Sequence, residues 1–115
     1  MNIQNQIFVY GDSVEFENAG DGVKRKILAY GDDMMQVEVH FEKGGIGKVH
    51  THSNVQLTYV LSGKFEFTVG EETKVVSSGD TLYILPDVSH ECVCLEKGIL
   101  LDTFNPCRYD FLENK

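Results

Sequence analysis

Short runs of alternating apolar and polar residues, punctuated by glycine, constrain the fold of this chain more than any other feature. In MMQVEVHFE the side chains of Met35, Val37, Val39 and Phe41 fall on one face of a strand, with Gln36, Glu38, His40 and Glu42 on the other. Similar runs, rich in β-branched and aromatic residues, recur in QLTYVL, KFEFTV, TKVVS, TLYILP, ECVCLE and GILLDTF. Between them, DG at 21–22, GD at 31–32, KGGIG at 43–47, SG at 62–63, GEE at 70–72, SSGD at 77–80 and EKG at 96–98 carry turn chemistry. KFEFTV and TKVVS, joined by Gly70, Glu71 and Glu72, read as a hairpin. No convincing helical period occurs before the last few residues. So many short strands in 115 residues predict one all-β domain over residues 1–115, an antiparallel barrel or sandwich.

Composition narrows the partners. At 42% hydrophobic and 24% charged residues the chain is ordinary globular material, long enough to bury a core without disulfides. Cys92, Cys94 and Cys107 cannot all pair within one chain, and the CVC spacing suits a disulfide poorly, so reduced thiols are expected. The N-terminus MNIQNQIFVY lacks a basic segment followed by an apolar stretch, and the apolar runs are strand-length. No secretory signal or membrane partner is therefore expected, and the expected location is the cytoplasm. Ten basic against 18 acidic residues give a net charge of −8, which argues against nucleic acid. An anionic ligand would need positive charge supplied locally.

Two segments carry candidate chemistry. In HTHSNVQ, His50 and His52 share strand parity, as two ligands of one ion must, and Gln56 shares it too, although Ser53 and Asn54 bend the chain between them. A third histidine, His90, follows LPDVS. The alternative for a bare HxH is a pair of surface histidines on a loop. In LLDTFNPCRYDFL, Asp102 and Phe104 share a face, and an acid within GILLDTF is unusual because an unpaired buried carboxylate loses hydration. Two readings stay open: a salt bridge from Asp102 to Arg108 at the rim, or a carboxyl kept near a metal for proton transfer. In the second, Arg108 offers a planar fork to a substrate carboxylate.

The frame around the histidines runs Gly44, five residues, His50, one residue, His52, three residues, Gln56, six residues, Gly63. It resembles the first motif of the cupin family, over residues 44–63, with Gln56 in the glutamate position. The second motif, over 79–94, is matched by Gly79 and His90. Leu85 stands for its proline, Asp87 for its internal glycine and Cys94 for its asparagine, with Pro86 one residue later. The resemblance implies a small antiparallel β-barrel of jelly-roll type, a homodimer, and one divalent metal ion held by His50, His52, Gln56 and His90. Nickel, zinc, manganese and iron all suit such donors. An amide in place of glutamate leaves the ion's charge uncompensated, favouring polarisation of a substrate oxygen over oxygen activation. A degenerate cupin without metal is the alternative.

The pattern Asp102, Phe104, Pro106, Arg108, Asp110 and Phe111, within residues 100–112, is similar to the C-terminal signature of the KdgF-type pectin and alginate degradation proteins. That resemblance implies conversion of 4,5-unsaturated monouronates, small anionic sugars, to linear 5-keto-4-deoxyuronates. It puts Asp102, Phe104 and Arg108 at the positions associated with activity, with Tyr59 and Phe67 as further candidates for an apolar wall. Cys92 and Cys94 share His90's parity; they read as small buried hydrophobes, the alternative being that they line the cavity and alter its shape or substrate. His40, Tyr30, Tyr83 and Tyr109 read as packing or surface residues. A different metal-dependent cupin enzyme, such as a dioxygenase or sugar isomerase, and a non-catalytic ligand-binding module are the competing readings.

Overall fold

A computed structural model describes residues 3–113. Among these described residues eight strands follow in order: β1 (Glu17–Gly20), β2 (Val23–Tyr30), β3 (Met35–Phe41), β4 (Ile46–His50), β5 (Val55–Val69), β6 (Glu72–Ser77), β7 (Thr81–Ile84) and β8 (His90–Asn105). Single 3₁₀ turns cover Gly11–Ser13 and Tyr109–Leu112. All the strand pairings are antiparallel. The alternation in β3 survives folding, with Met35, Val37 and Phe41 buried. The expected hairpin joins β5 to β6 with Val69 opposite Glu72.

Two expected turns are not turns. QLTYVL and KFEFTV form the single strand β5, and ECVCLE and GILLDTF form the single strand β8. The two pair along their whole length, from Val55 opposite Asn105 to Val69 opposite His90. At the middle of this ladder Gly63, at φ 85°, meets Gly98. A Cβ on Gly63 would lie 2.5 Å from the Gly98 Cα, and one on Gly98 would lie 2.1 Å from the Ser62 carbonyl oxygen. With no side chain between them, the strands shift register at Ser62 and Lys64 and stay paired.

The halves of β5 and β8 take different neighbours. The first half of β5 pairs with β7, from Gln56 opposite Ile84 to Tyr59 opposite Thr81, while its second half pairs with β6. The start of β8 pairs with β4, and its second half pairs with β3, with β2 and β1 beyond. The result is a jelly roll whose hydrogen-bond path runs open from β1 to β6 instead of closing as a ring. Two hydrophobic clusters fill it: Val23, Phe41, Val60, Phe65, Phe67, Cys92, Cys94 and Leu100, and Met35, Val37, Phe104 and Cys107. Strand β2 was not anticipated, because VKRKILAY does not alternate cleanly; its pairing with β1 and β3 makes it extended. Strand β4 begins at Ile46, inside the expected KGGIG turn. Among the described residues no helix is long and apolar enough to cross a membrane.

Asp87, which replaces the second motif's glycine, keeps the glycine-like backbone at φ 64°. Aspartate tolerates this region better than most residues, because its short side chain can bond locally. The Asp87 N–H donates to the His52 carbonyl at 2.8 Å, tying the two motif segments together.

Two substitutions separate these backbone demands. Gly98→Ala should cost at least about 2 kcal/mol, because the new methyl meets backbone that cannot move aside. Asp87→Gly should be neutral or slightly stabilising, since the left-handed conformation then carries no Cβ penalty. Urea unfolding measures both, and an unchanged midpoint for Gly98→Ala would contradict the strand crossing.

Candidate functional site

The bend in the long ladder brings its two ends together. His50 closes β4 and lies opposite His90, the first residue of β8, while Gln56 lies on β5 opposite Phe104, near the far end of β8. His52 is in the loop between β4 and β5, so the loop, not strand parity, aims it. Asn54 holds that loop: its side-chain amide donates to the Pro106 carbonyl at 2.6 Å and the Cys107 carbonyl at 3.4 Å. The ring centroids lie 4.2 Å apart for His50 and His90, 4.9 Å for His52 and His90, and 5.5 Å for His50 and His52. One ligand atom from each of the three falls within 4.8 Å of the others.

Backbone carbonyls set the tautomers. Nδ1 of His50, His52 and His90 lies 2.7, 3.0 and 2.9 Å from the carbonyls of Lys48, Asn54 and Val88. A carbonyl only accepts, so each Nδ1 carries a hydrogen and Nε2 is the nitrogen left to bind an ion. Nε2 of His90 is buried without a hydrogen-bond partner among the described residues. Nε2 of His52 lies 2.9 Å from Oε1 of Gln56, whose Nε2 donates to the Thr58 hydroxyl at 2.8 Å. Two acceptors thus face each other, an arrangement a shared cation resolves. Burial pushes the His90 ring down to about 4 and lowers His52 as well, so both are neutral near pH 7, the form that binds metal. These residues fit a divalent ion.

Beside the histidines is a cavity of about 380 Å³, within the range of small-molecule sites. Its wall includes Val39, Phe67, Leu100, Phe104 and Phe111, with His50, Gln56, His90, Asp102 and Arg108 as polar groups. Asp102 and Phe104 share the inward face, as expected. The Thr58 hydroxyl donates to Oδ1 of Asp102 at 2.6 Å. Burial raises Asp102 to about 6, against the opposing pull of that hydrogen bond and of the Arg108 charge.

Arg108 does not form the rim salt bridge to Asp102. It is buried, and its Nε and Nη2 donate to the two carboxylate oxygens of Asp110 at 3.0 and 2.8 Å, which holds the Asp110 carboxyl below its usual range. Its guanidinium lies 4.0 Å from the Phe111 ring centroid and 5.0 Å from that of Phe104. Among the described residues Nη1 makes no hydrogen bond, so the Nη1–Nη2 edge could take a ligand.

Some expectations change. Phe67 lines the cavity, but Tyr59 points outward, 47% exposed, because it has the opposite parity to Gln56 on β5. Cys92 lines the cavity; Cys94 packs in the core and donates to the Glu96 carbonyl at 3.0 Å. Burial pushes the Cys92 thiol up to about 12, so it is an inert apolar group. His40 pairs with Glu38 and packs against Phe16, and Tyr109 donates to Asp32, both away from the cavity lining. Three site residues had not been anticipated: Asn54, Thr58 and Arg25, the last lining the cavity 3.8 Å from the Phe111 ring centroid. Thr58 shares Gln56's parity, a signal that was available. Arg25 lies on the strand that lacked a pattern.

Comparisons with known proteins agree with this fold. Residues 37–103 match the Cupin domain family. The chain is 44% identical over 103 residues to the pectin degradation protein KdgF of Dickeya dadantii (strain 3937), an alignment covering 88% of this chain and 94% of that one. A crystal structure of an RmlC-like cupin from Shewanella frigidimarina NCIMB 400 superposes with a TM-score of 0.90 at 41% identity, covering 94% and 97% of the two chains. KdgF from a Halomonas species superposes with a TM-score of 0.87 at 31% identity, covering 93% and 99%.

The shifted groups oppose one another in acid. His90 titrates near 4 when folded and near 6.5 when free, and His52 is displaced the same way, so the unfolded chain takes up protons first and stability falls as pH drops from 6.5 to 4. Asp102 titrates near 6 when folded and 3.8 when free, so the folded chain takes up its proton first and gains stability over that interval. In chelator-treated protein, Asp102→Asn removes this offset. Its melting temperature should therefore fall more steeply between pH 6.5 and 4 than the parent's; parallel curves would contradict the burial of the Asp102 charge.

Proposed function

The chain belongs to the cupin family, and from that membership and its likeness to KdgF we propose that it converts 4,5-unsaturated monouronates to linear 5-keto-4-deoxyuronates. The supporting observation is the convergence of His50, His52 and His90 with the Gln56 carbonyl beside a cavity whose wall also holds Asp102 and Arg108. The proposed metal ligands are His50, His52, Gln56 and His90; the proposed catalytic residues are Asp102, Phe104 and Arg108. A divalent ion bound there supplies positive charge for an anionic substrate oxygen, uncompensated by any charged ligand.

The reaction is an isomerisation without a redox step. A proton leaves the anomeric hydroxyl, the bond from C1 to the ring oxygen breaks, C4 gains a proton, and the alkene between C4 and C5 becomes the C5 ketone. Asp102 moves protons in this sequence, between its carboxylate and either the anomeric hydroxyl or C4. With a pKa of about 6 it can both accept and release a proton near neutrality. The Nη1–Nη2 edge of Arg108 receives the C6 carboxylate, and its Nε–Nη2 edge, bound to Asp110, keeps the guanidinium oriented. Phe104 and Phe67 form an apolar wall for the sugar.

A homodimer is part of the same reading. Leu57, Tyr59 and Tyr83 are exposed by 48%, 47% and 64%, and lie side by side on the outer face of β5 and β7. Such a patch is typical of a self-association surface. Sedimentation equilibrium should give the mass of two chains, with Tyr83→Glu shifting it towards one; a monomeric parent would remove the dimer.

The metal-loaded protein should accelerate loss of the conjugated-alkene absorbance of a 4,5-unsaturated galacturonate or mannuronate monomer, after subtraction of the spontaneous reaction. Asp102→Asn should keep fold and metal yet lower kcat by roughly 10²–10⁴, because the amide exchanges no proton. Arg108→Ala should act mainly on KM, raising it about tenfold or more with the loss of a charged hydrogen-bonding fork. An Asp102→Asn variant as active as the parent would remove the proton-transfer role. No acceleration by the metal-loaded parent with either monomer would leave the ligand-binding module in place of the enzyme.

A further inference from the structure

Thr58 lies on β5 directly opposite Asp102 of β8, and it is 0% exposed. A hydroxyl at a fully enclosed strand position costs free energy unless its hydrogen bonds are made, and valine would fill the same volume without that demand. Here the hydroxyl is used in both directions. It donates its one hydrogen to Oδ1 of Asp102 at 2.6 Å and accepts from Nε2 of Gln56 at 2.8 Å.

The polarity of this chain has one sense. A carboxylate only accepts, so the single hydroxyl hydrogen of Thr58 goes to Asp102 and its lone pairs turn to residue 56. Only the NH₂ end of the Gln56 amide can meet those lone pairs, which leaves Oε1 facing Nε2 of His52 at 2.9 Å. The same NH₂ end also approaches the Asp102 carboxylate, but its 2.8 Å bond is to Thr58; without the hydroxyl the amide loses that bond and can turn its NH₂ end to the histidines, where it offers a metal no lone pair.

We propose that Thr58 is a positioning residue: its buried hydroxyl, committed to Asp102, sets the Gln56 amide so that the carbonyl oxygen faces the three histidines. This rests on the reading that Gln56 is a metal ligand. It also accounts for an amide where the cupin motif has glutamate. A carboxylate at 56 could not donate to Thr58, and two acceptors would then compete for one hydroxyl hydrogen. Thr58 thereby joins the residue that presents oxygen to the metal and the residue that moves protons.

The test uses nickel as the probe and calorimetric titration of the metal-free protein. Thr58→Val removes the hydroxyl and keeps the shape, and should weaken nickel binding by roughly tenfold to a hundredfold, as losses of such outer partners do. Thr58→Ser keeps the hydroxyl and should recover most of that affinity. In a Gln56→Ala background Thr58→Val should weaken nickel no further, because there is no amide left to orient. The proposal is overturned if Thr58→Val binds nickel as tightly as the parent, if Thr58→Ser is as weak as Thr58→Val, or if the loss is undiminished in the Gln56→Ala background. Should Thr58→Val fail to fold, Thr58→Ala against Thr58→Ser makes the same comparison. A parent that binds no nickel, zinc, manganese or iron would instead remove the metal site itself, an outcome distinct from the others.

Discussion

Contact between two bare backbones at Gly63 and Gly98 is the constraint on which the rest of the structure depends. A β5–β8 ladder running from Val55 to Val69 would, if straight, hold its ends far apart. The glycine crossing lets both strands shift register without losing their pairing, so the ladder folds over on itself. Gln56, Asp102 and Phe104 belong to one half of that ladder and His90 to the other, yet Gln56, Asp102, Phe104 and His90 line one cavity. A side chain at either glycine would run into backbone at the crossing.

Desolvation then acts on the cavity wall in two opposite ways. It disfavours the charged form of every group it covers, so it keeps His90 and His52 neutral and raises the proton affinity of Asp102. Neutral imidazoles are what a divalent ion binds, and a carboxyl that titrates near 6 is what proton exchange near neutrality needs. One physical cause thus suits the site to both kinds of proposed chemistry. The surrounding hydrogen bonds add direction: carbonyls of Lys48, Asn54 and Val88 turn the Nε2 atoms inward, and Asp110 holds one edge of Arg108.

Departures from the cupin motifs become intelligible at the same level. Asp87 stands where the motif has glycine and still adopts a positive φ, so the backbone requirement is met by another residue tolerant of it. Its N–H reaches the His52 carbonyl, which makes the turn part of the support for a histidine. Cys92 and Cys94 follow His90 in register and read in the sequence as small buried hydrophobes. Burial raises both thiols, and they fill space.

The sequence by itself determined the all-β class, the hairpin at Gly70, the inward face of β3, and the pairing of Asp102 with Phe104 on one face, because these depend on a period of two along a single strand. Motif spacing also picked out His50, His52, Gln56 and His90 before any of them could be placed. Only the tertiary structure decided that SG at 62–63 and EKG at 96–98 bend strands without ending them, since glycine marks a turn and a close backbone approach with the same residue. It also decided that Arg108 bonds Asp110 and that Asp102 bonds Thr58, and it brought Arg25 and Asn54 to the site. Apart from the short-range Arg108–Asp110 pair, whose geometry is set by the turn after β8, those relations join residues far apart in the chain, and local periodicity carries no information about how the sheet brings them together.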